Sequence, residues 1–382
     1  MSRRYIATVI LCCLTAILCG PAEAMAAENG SPTSLAITAL PAYYTFTKTV
    51  TLTNTGGAPA YNVKAQVVLL APKTAYAHVA LVGYSVTPTS TFHDRYGNLI
   101  GVFTWPELAI HQSVRIILHY QATSSDISYR LPKNYPPYNR RSRIYRLYTN
   151  PQLEANAVDT DAPPIQALDD QLVSHIQNPE VRARILFNWV VQHIHYNYSL
   201  KPSGSALATL KTRLGICSDI ADLYVSLLRT DHIPAELIDG YVTNNGAGQG
   251  GFHQWVQLYL PGVGWIVADP TWGHYGYFAA LQDDWHIPLY DGIRPDISVQ
   301  WQYVGQGPQK PDLAIHYHYH FVTEQGPPVT RRVKLPLVSV TPPVAKQPNT
   351  VDVEHTLAAD WSRILAFFHQ YVLRVKIALE SL

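Results

Sequence analysis

Cys217, His253 and Asp269 are the residues of this chain whose types and spacing could do chemistry. A thiolate, an imidazole that exchanges a proton with it and a carboxylate that orients the imidazole are the components of nucleophilic acyl transfer. Cys217 follows Arg213-Leu214-Gly215-Ile216, and Ile220, Leu223, Tyr224, Leu227 and Leu228 come after it at helical spacing. The spacing predicts that Cys217 opens a buried amphipathic helix, where unpaired N–H groups and the positive end of the helix dipole favour a thiolate. Residues 252–260 then alternate as a strand with His253, Trp255, Gln257 and Tyr259 on one face, Pro261-Gly262-Val263-Gly264 turns the chain, and residues 265–269 return. In an antiparallel hairpin His253 and Asp269 share a face only if the loop holds an odd number of residues. A loop over 261–263 sets Asp269 opposite Trp255 and makes His253 its diagonal neighbour, within side-chain reach.

The segments before this stretch say where such chemistry happens. Arg3 and Arg4, an apolar run from residue 5 to 20 and Ala22-Glu23-Ala24 read as a secretory signal peptide over residues 1–24. Cleavage there removes Cys12, Cys13 and Cys19 and leaves Cys217 as a lone cysteine, which has no partner for an internal disulfide. The same cut removes Arg3, Arg4 and Glu23, taking 28 basic and 27 acidic residues to 26 of each. That balance gives no electrostatic footprint for a nucleic-acid partner. A secreted, cell-envelope or periplasmic location is expected.

Residues 30–131 alternate apolar and polar positions in several short runs, including Val50 and Leu52, then Val63, Ala65, Val67 and Leu69, with Asn54-Thr55-Gly56-Gly57 as a turn. This predicts an all-β domain, an immunoglobulin-like sandwich without a Cys-Trp-Cys framework, acting as a spacer or docking module. Residues 132–160, with Pro132, Pro136, Pro137 and four arginines between 139 and 146, read as a solvated linker in preference to a processing site. A helical part begins near Asp161, where Asn178-Pro179 caps a helix bearing Val181, Ile185, Leu186, Trp189, Val190 and Ile194. His193 and His195 end that helix as polar cap residues. The glycine-rich loop over 244–251 is either a lid over the site or a long hairpin turn.

Arg213-Leu214-Gly215-Ile216-Cys217-Ser218-Asp219-Ile220-Ala221, Ile233-Pro234-Ala235, His253-Gln254-Trp255 and Gly264-Trp265-Ile266-Val267-Ala268-Asp269-Pro270-Thr271 together resemble the transglutaminase-like superfamily of cysteine enzymes. The resemblance runs from about residue 161 to 296 and takes in Trp285-His286-Ile287-Pro288. It implies a papain-like α+β fold with Cys217 as nucleophile, His253 as general base and acid, and Asp269 as the orienting carboxylate. Gln257 stands where the family often has an acidic residue. The implied reaction is attack on an amide of a protein or peptide to give a thioester, with the oxyanion held by the Cys217 N–H and a second donor, for which Trp189 and Tyr196 are candidates. Hydrolysis, as by a peptidase or amidase, is favoured over crosslinking to a lysine amine. The competing reading is a catalytically silent copy of the fold that binds or scaffolds at the cell surface.

No cofactor and no metal is called for by this reading. His316, His318 and His320 alternate with Tyr317 and Tyr319, which aligns the imidazoles on one strand face, read as a surface in preference to a zinc site. The catalytic domain is assigned to residues 161–340 with trailing strands, and residues 341–382 to a proline-rich linker and a long amphipathic helix. Leu357, Trp361, Ile364, Leu365, Phe368, Val372, Val375 and Leu379 make its apolar stripe. It is expected to pack back on the enzyme or touch the cell envelope or a membrane surface, since Arg363, Arg374 and Lys376 rule against spanning.

Overall fold

Along residues 44–54 every second side chain is buried, as the alternation of apolar residues and threonines demands of a half-buried strand. The protein is described by a computed structural model over residues 36–38, 41–243, 250–293, 296–305, 308–324 and 326. The signal-peptide segment, residues 244–249 of the glycine-rich loop and the helix expected over 341–382 lie outside the described residues.

The first strands are β1 (Ala36–Thr38), β2 (Ala42–Asn54), β3 (Ala60–Leu70), β4 (Ala77–Tyr84), β5 (Ser90–His93), β6 (Leu99–Leu108), β7 (Ser113–Ser124) and β8 (Ile127–Tyr129). Five helices follow: α1 (Arg143–Tyr148), α2 (Pro163–Val173), α3 (Pro179–His193), α4 (Ala206–Thr212) and α5 (Cys217–Thr230). Short strands β9 (His195–Tyr196) and β10 (Leu214–Gly215) flank α4, and β11 (Ala235–Val242), β12 (Gly251–Leu260) and β13 (Gly264–Ala268) come after α5. The last are β14 (Ala280–Leu281), β15 (His286–Asp291), β16 (Ile297–Gln302) and β17 (Leu313–Glu324).

Two antiparallel sheets, ordered β16-β3-β6-β5 and β17-β2-β7-β4, share one apolar core in which Val50, Leu52, Val63, Ala65, Phe103, Ile116 and Leu118 meet. This sandwich is not contained within residues 30–131. Strands β16 and β17, which the sequence division leaves with the catalytic domain, pair with β3 and β2, closing an edge of each sheet. Lys48 seals the junction. Its ammonium, 1% exposed, donates to Asp296 just before β16 and to the Val68 carbonyl at 2.9 Å, while the Tyr319 hydroxyl of β17 donates to Asp296 at 2.9 Å.

A second body packs α2, α3 and α4 with α5 against the sheet β13-β12-β11-β15. Helix α5 is buried on every side, polar residues included: Asp219, Asp222, Ser226 and Arg229 lie inside with Ile220, Leu223, Tyr224 and Leu227. The expected amphipathic helix is thus a central one, because helices and sheet surround it. Nor is the 132–160 segment a solvated connector. Leu153 and Val158 are buried, Tyr148 stacks edge-on against Trp265 at 5.0 Å, and Arg229 donates to the Leu153 carbonyl and to Glu154, both at 2.9 Å. Its arginines supply the solvated appearance, and its apolar residues do the packing.

The sandwich is also stitched to the second body. Ile287 and Leu289 of β15 enter the sandwich core, Asn98 exchanges two 2.8 Å hydrogen bonds with the Asp291 backbone, and β14 pairs with β8. A spacer role does not describe it.

Two outcomes follow for stability. Asp296→Asn strips the partner from a buried ammonium and is expected to cost about 3–5 kcal/mol in denaturant unfolding. Burial, with Asp219 and Asp239 nearby, holds the Asp222 carboxyl well above its ordinary range. Its stabilising neutral form is fully present below the unfolded pKa of about 4 and is lost as pH rises toward the folded one. Asp222→Asn should therefore gain more melting temperature over the native protein at pH 8 than at pH 5.

Candidate active site

Helix α5 begins on Cys217, with Ile216 as its N-cap in an extended conformation. What fixes that end is Asp219. One carboxylate oxygen accepts the Ile216 N–H at 3.0 Å, and the other accepts the Ser203 N–H and hydroxyl, each at 2.7 Å. Gly215 makes the fit possible, because a Cβ there would lie 2.8 Å from that of Asp219. The thiol sits where the first-turn N–H groups converge, in a residue 8% exposed.

Strands β12 and β13 pair with Leu260 opposite Gly264 and Val256 opposite Ala268. This is the three-residue-loop register derived above, and Asp269 is the next residue along. His253 Nε2 reaches Asp269 Oδ2 at 2.7 Å, and the Cys217 side chain lies close enough to the same ring to raise its pKa. Trp272 stacks on the imidazole at 5.2 Å and 19°, and Trp255 lies along it at 6.0 Å. Opposite His253 in β11 is Gly240, where a Cβ would collide with the Trp255 ring at 2.1 Å, so glycine admits the indole that supports the histidine.

The electrostatics follow from contact. Burial alone would lower the His253 pKa, yet the adjoining Asp269 carboxylate and the Cys217 sulfur raise it to about 10. Burial would likewise raise Asp269, and His253 and His286 outweigh it, holding the carboxyl far below its usual range. Asp269 is fully buried, and its Oδ1 accepts the N–H groups of Thr271 at 2.8 Å and Trp272 at 3.4 Å. An imidazolium is the form of His253 that this arrangement favours.

Of the two upstream aromatic candidates, Tyr196 is brought to Cys217. Parallel pairing of β9 with β10 sets Tyr196 beside Gly215, and its hydroxyl interacts with both the backbone and the sulfur of Cys217. Burial and that sulfur push its phenol strongly upward, so it remains an O–H donor. Trp189 is engaged elsewhere, stacked on His193 at 4.6 Å with the Arg213 guanidinium over its ring at 4.5 Å. Gln257, at 8% exposure, lies across from Glu236, so a carboxyl stands beside the position where the family often has its own.

Sequence reasoning gave no role to His286. This fully buried ring is 3.4 Å from Asp269 Oδ2 through Nε2 and 2.8 Å from Asp283 Oδ1 through Nδ1. The signal was present in Asp283-Asp284-Trp285-His286, an acid three residues before a histidine, but nothing local says that it returns to Asp269. Among the described residues, His253, Asp269 and His286 are the set whose ligand-type atoms lie within 4.8 Å of one another. Those atoms already face one another as proton donors and acceptors, and we do not identify them as metal ligands. His316, His318 and His320 are exposed along β17 beside Thr51, Thr49 and Thr47 and form no such set.

Residues 166–270 match the family model of the transglutaminase-like superfamily. The chain is 32% identical over 124 residues to a protein-glutamine gamma-glutamyltransferase of Pseudomonas aeruginosa, a match spanning 29% of this chain and 18% of that protein. It is 34% identical over 80 residues to the uncharacterized protein YebA of Bacillus subtilis, 16% of this chain and 10% of the relative. The matches thus span less than a fifth of these curated relatives. A solved candidate cysteine protease from Cytophaga hutchinsonii shares the fold with a TM-score of 0.54 at 15% identity, over 78% of this chain and 96% of that one.

If His253 assists the thiol, Cys217 alkylation by iodoacetamide at pH 6 should slow by at least about tenfold in His253→Ala. The gap should narrow toward pH 9, where an unassisted thiol ionises anyway. Equal rates at both pH values would show that the ring does nothing for the sulfur.

Proposed function

From a chain that carries a transglutaminase-like core over residues 166–270, we propose a thiol enzyme that acts on amide bonds of proteins or peptides through a Cys217 thioester. The observation that carries this is His253, joined to buried Asp269 at 2.7 Å through Nε2, with the Cys217 side chain near enough to act on the same ring. Family membership supports a cysteine-based chemistry, since such members are usually cysteine enzymes.

The steps are these. His253 holds the proton taken from Cys217, and the thiolate adds to the substrate carbonyl. The Cys217 N–H and the Tyr196 O–H are the donors assigned to the oxyanion in this reading, supported by the nearness of Tyr196 to Cys217. Collapse of the adduct breaks the C–N bond as His253 returns its proton to the leaving nitrogen. Asp269 neither gains nor loses a proton; it steadies the imidazolium. Water or an amine then adds to the thioester as His253 takes its proton, and the adduct collapses by breaking the C–S bond and expelling the Cys217 sulfur as the thiolate. Hydrolysis is the reading retained, and transfer to a lysine amine is the second, supported by the identity to a protein-glutamine gamma-glutamyltransferase. The leader over residues 1–24 supports export, so that substrates are exposed or envelope-borne proteins. The 341–382 segment is proposed to contact that envelope.

Intact-mass spectrometry after incubation with glutamine-containing peptides should find an acyl adduct on Cys217 that Cys217→Ala abolishes. Its partition between water and an added primary amine distinguishes the two acceptors. Tyr196→Phe should slow adduct formation by about 10²-fold, the scale of one lost oxyanion donor. No adduct with any peptide, together with a Cys217 whose alkylation ignores His253, would favour the silent scaffold.

A further inference from the structure

His286 is the buried titratable ring that the proposed steps leave unused, and it touches the carboxylate on which they turn. Its contacts define its protonation. Asp283 can only accept: Oδ1 takes the Trp285 N–H at 2.8 Å and faces His286 Nδ1 at 2.8 Å, while Oδ2 takes the Tyr277 hydroxyl at 2.6 Å. Nδ1 therefore carries a hydrogen. Nε2 points at Asp269 Oδ2, 3.4 Å away, and a bare lone pair there would face an anionic oxygen. Only the doubly protonated ring satisfies both carboxylates.

We propose that His286 is a positioning residue held as an imidazolium, which shares Asp269 with His253 and keeps His253 from binding its proton too tightly. This rests on the triad reading above and deepens it. The two rings lie 5.9 Å apart, so each cation disfavours the other. Asp269 with one imidazole would hold its proton hard, and a general acid must release it to the leaving nitrogen. A second cation on the same oxygen divides the attraction. The direction of the His286 pKa agrees: burial would lower it, and Asp283 and Asp269 raise it instead.

Asp283 and Tyr277 face His286 from the segment flanking β14, Asp269 from the end of β13 and His253 from β12. On the sandwich side the contacts are neutral: the Ser124 hydroxyl donates to the His286 carbonyl at 2.9 Å, and the Tyr44 hydroxyl donates to the Asp284 carbonyl at 2.9 Å. Trp255 and Trp272 pack edge-on against the ring at 4.9 and 5.0 Å, shutting out water that would screen the charges. The sandwich thereby takes part in the chemistry, because the strand that carries His286 has its neighbours Ile287 and Leu289 in the sandwich core.

The test is the pH dependence of Cys217 alkylation by iodoacetamide in the full chain, whose upper inflection reports deprotonation of His253. Removing one positive charge about 6 Å away raises the affinity of His253 for its proton. In His286→Asn that inflection should move up by about 1 pH unit, the scale of such an interaction in a partly screened interior. Asp283→Asn, which discharges His286 while leaving its ring in place, should move it the same way by less, and keeps the test open if His286→Asn fails to fold. A merely structural role would slow alkylation at every pH and leave the inflection where it was, and that result in Asp283→Asn overturns the proposal. A native profile with no inflection that depends on His253 would instead sink the triad reading itself.

Discussion

A carboxylate with no exposure to water, Asp269, is the constraint on which this structure turns. Left unpaired, such a charge costs a large part of a fold's net stability, and the elements near it supply the partners that offset this. The Asp269-Pro270-Thr271 sequence does part of this locally, since the side chain accepts the N–H two residues on, in the manner of an Asx turn. Two imidazoles supply the rest from β12 and β15. The Tyr277 carbonyl fixes the backbone by accepting the Asp269 N–H at 2.8 Å, and the hydroxyl of the same tyrosine fixes Asp283.

The remaining architecture follows as the means of bringing these groups to one place. A hairpin in a particular register puts His253 and Asp269 on a common face, and a helix buried on all sides delivers Cys217 to it. The sandwich, through β15, delivers His286. Each is held by packing rather than by loops, which suits a site whose atoms must meet within a few tenths of an ångström.

Much of this was legible in the residues and some was not. The meeting of His253 with Asp269 was readable because the odd loop length that allows it is a local property of Pro261-Gly262-Val263. The caps were readable too, with Asn178 accepting the N–H groups of Glu180 and Val181 as its sequence foretold. Pairing across more than two hundred residues leaves no such mark. Nothing in the sequence of β17 announces that Tyr319 and Phe321 belong to the core of β2 rather than to the helical body preceding them. The 132–160 segment misled through its prolines and arginines, while Leu153 and Val158, few and unperiodic, carried the packing. His286 was visible as part of a motif with Asp283 three residues before it, but the second carboxylate it faces, Asp269, is brought near only by the folded chain.

Nitrogen-15 chemical shifts of the His253 and His286 rings at pH 7 test the central claim most directly, because they count protons on each nitrogen without reference to any substrate. The account predicts that both rings are doubly protonated, two cations on either side of one buried anion. A spectrum in which either ring shows one protonated and one bare nitrogen would contradict it.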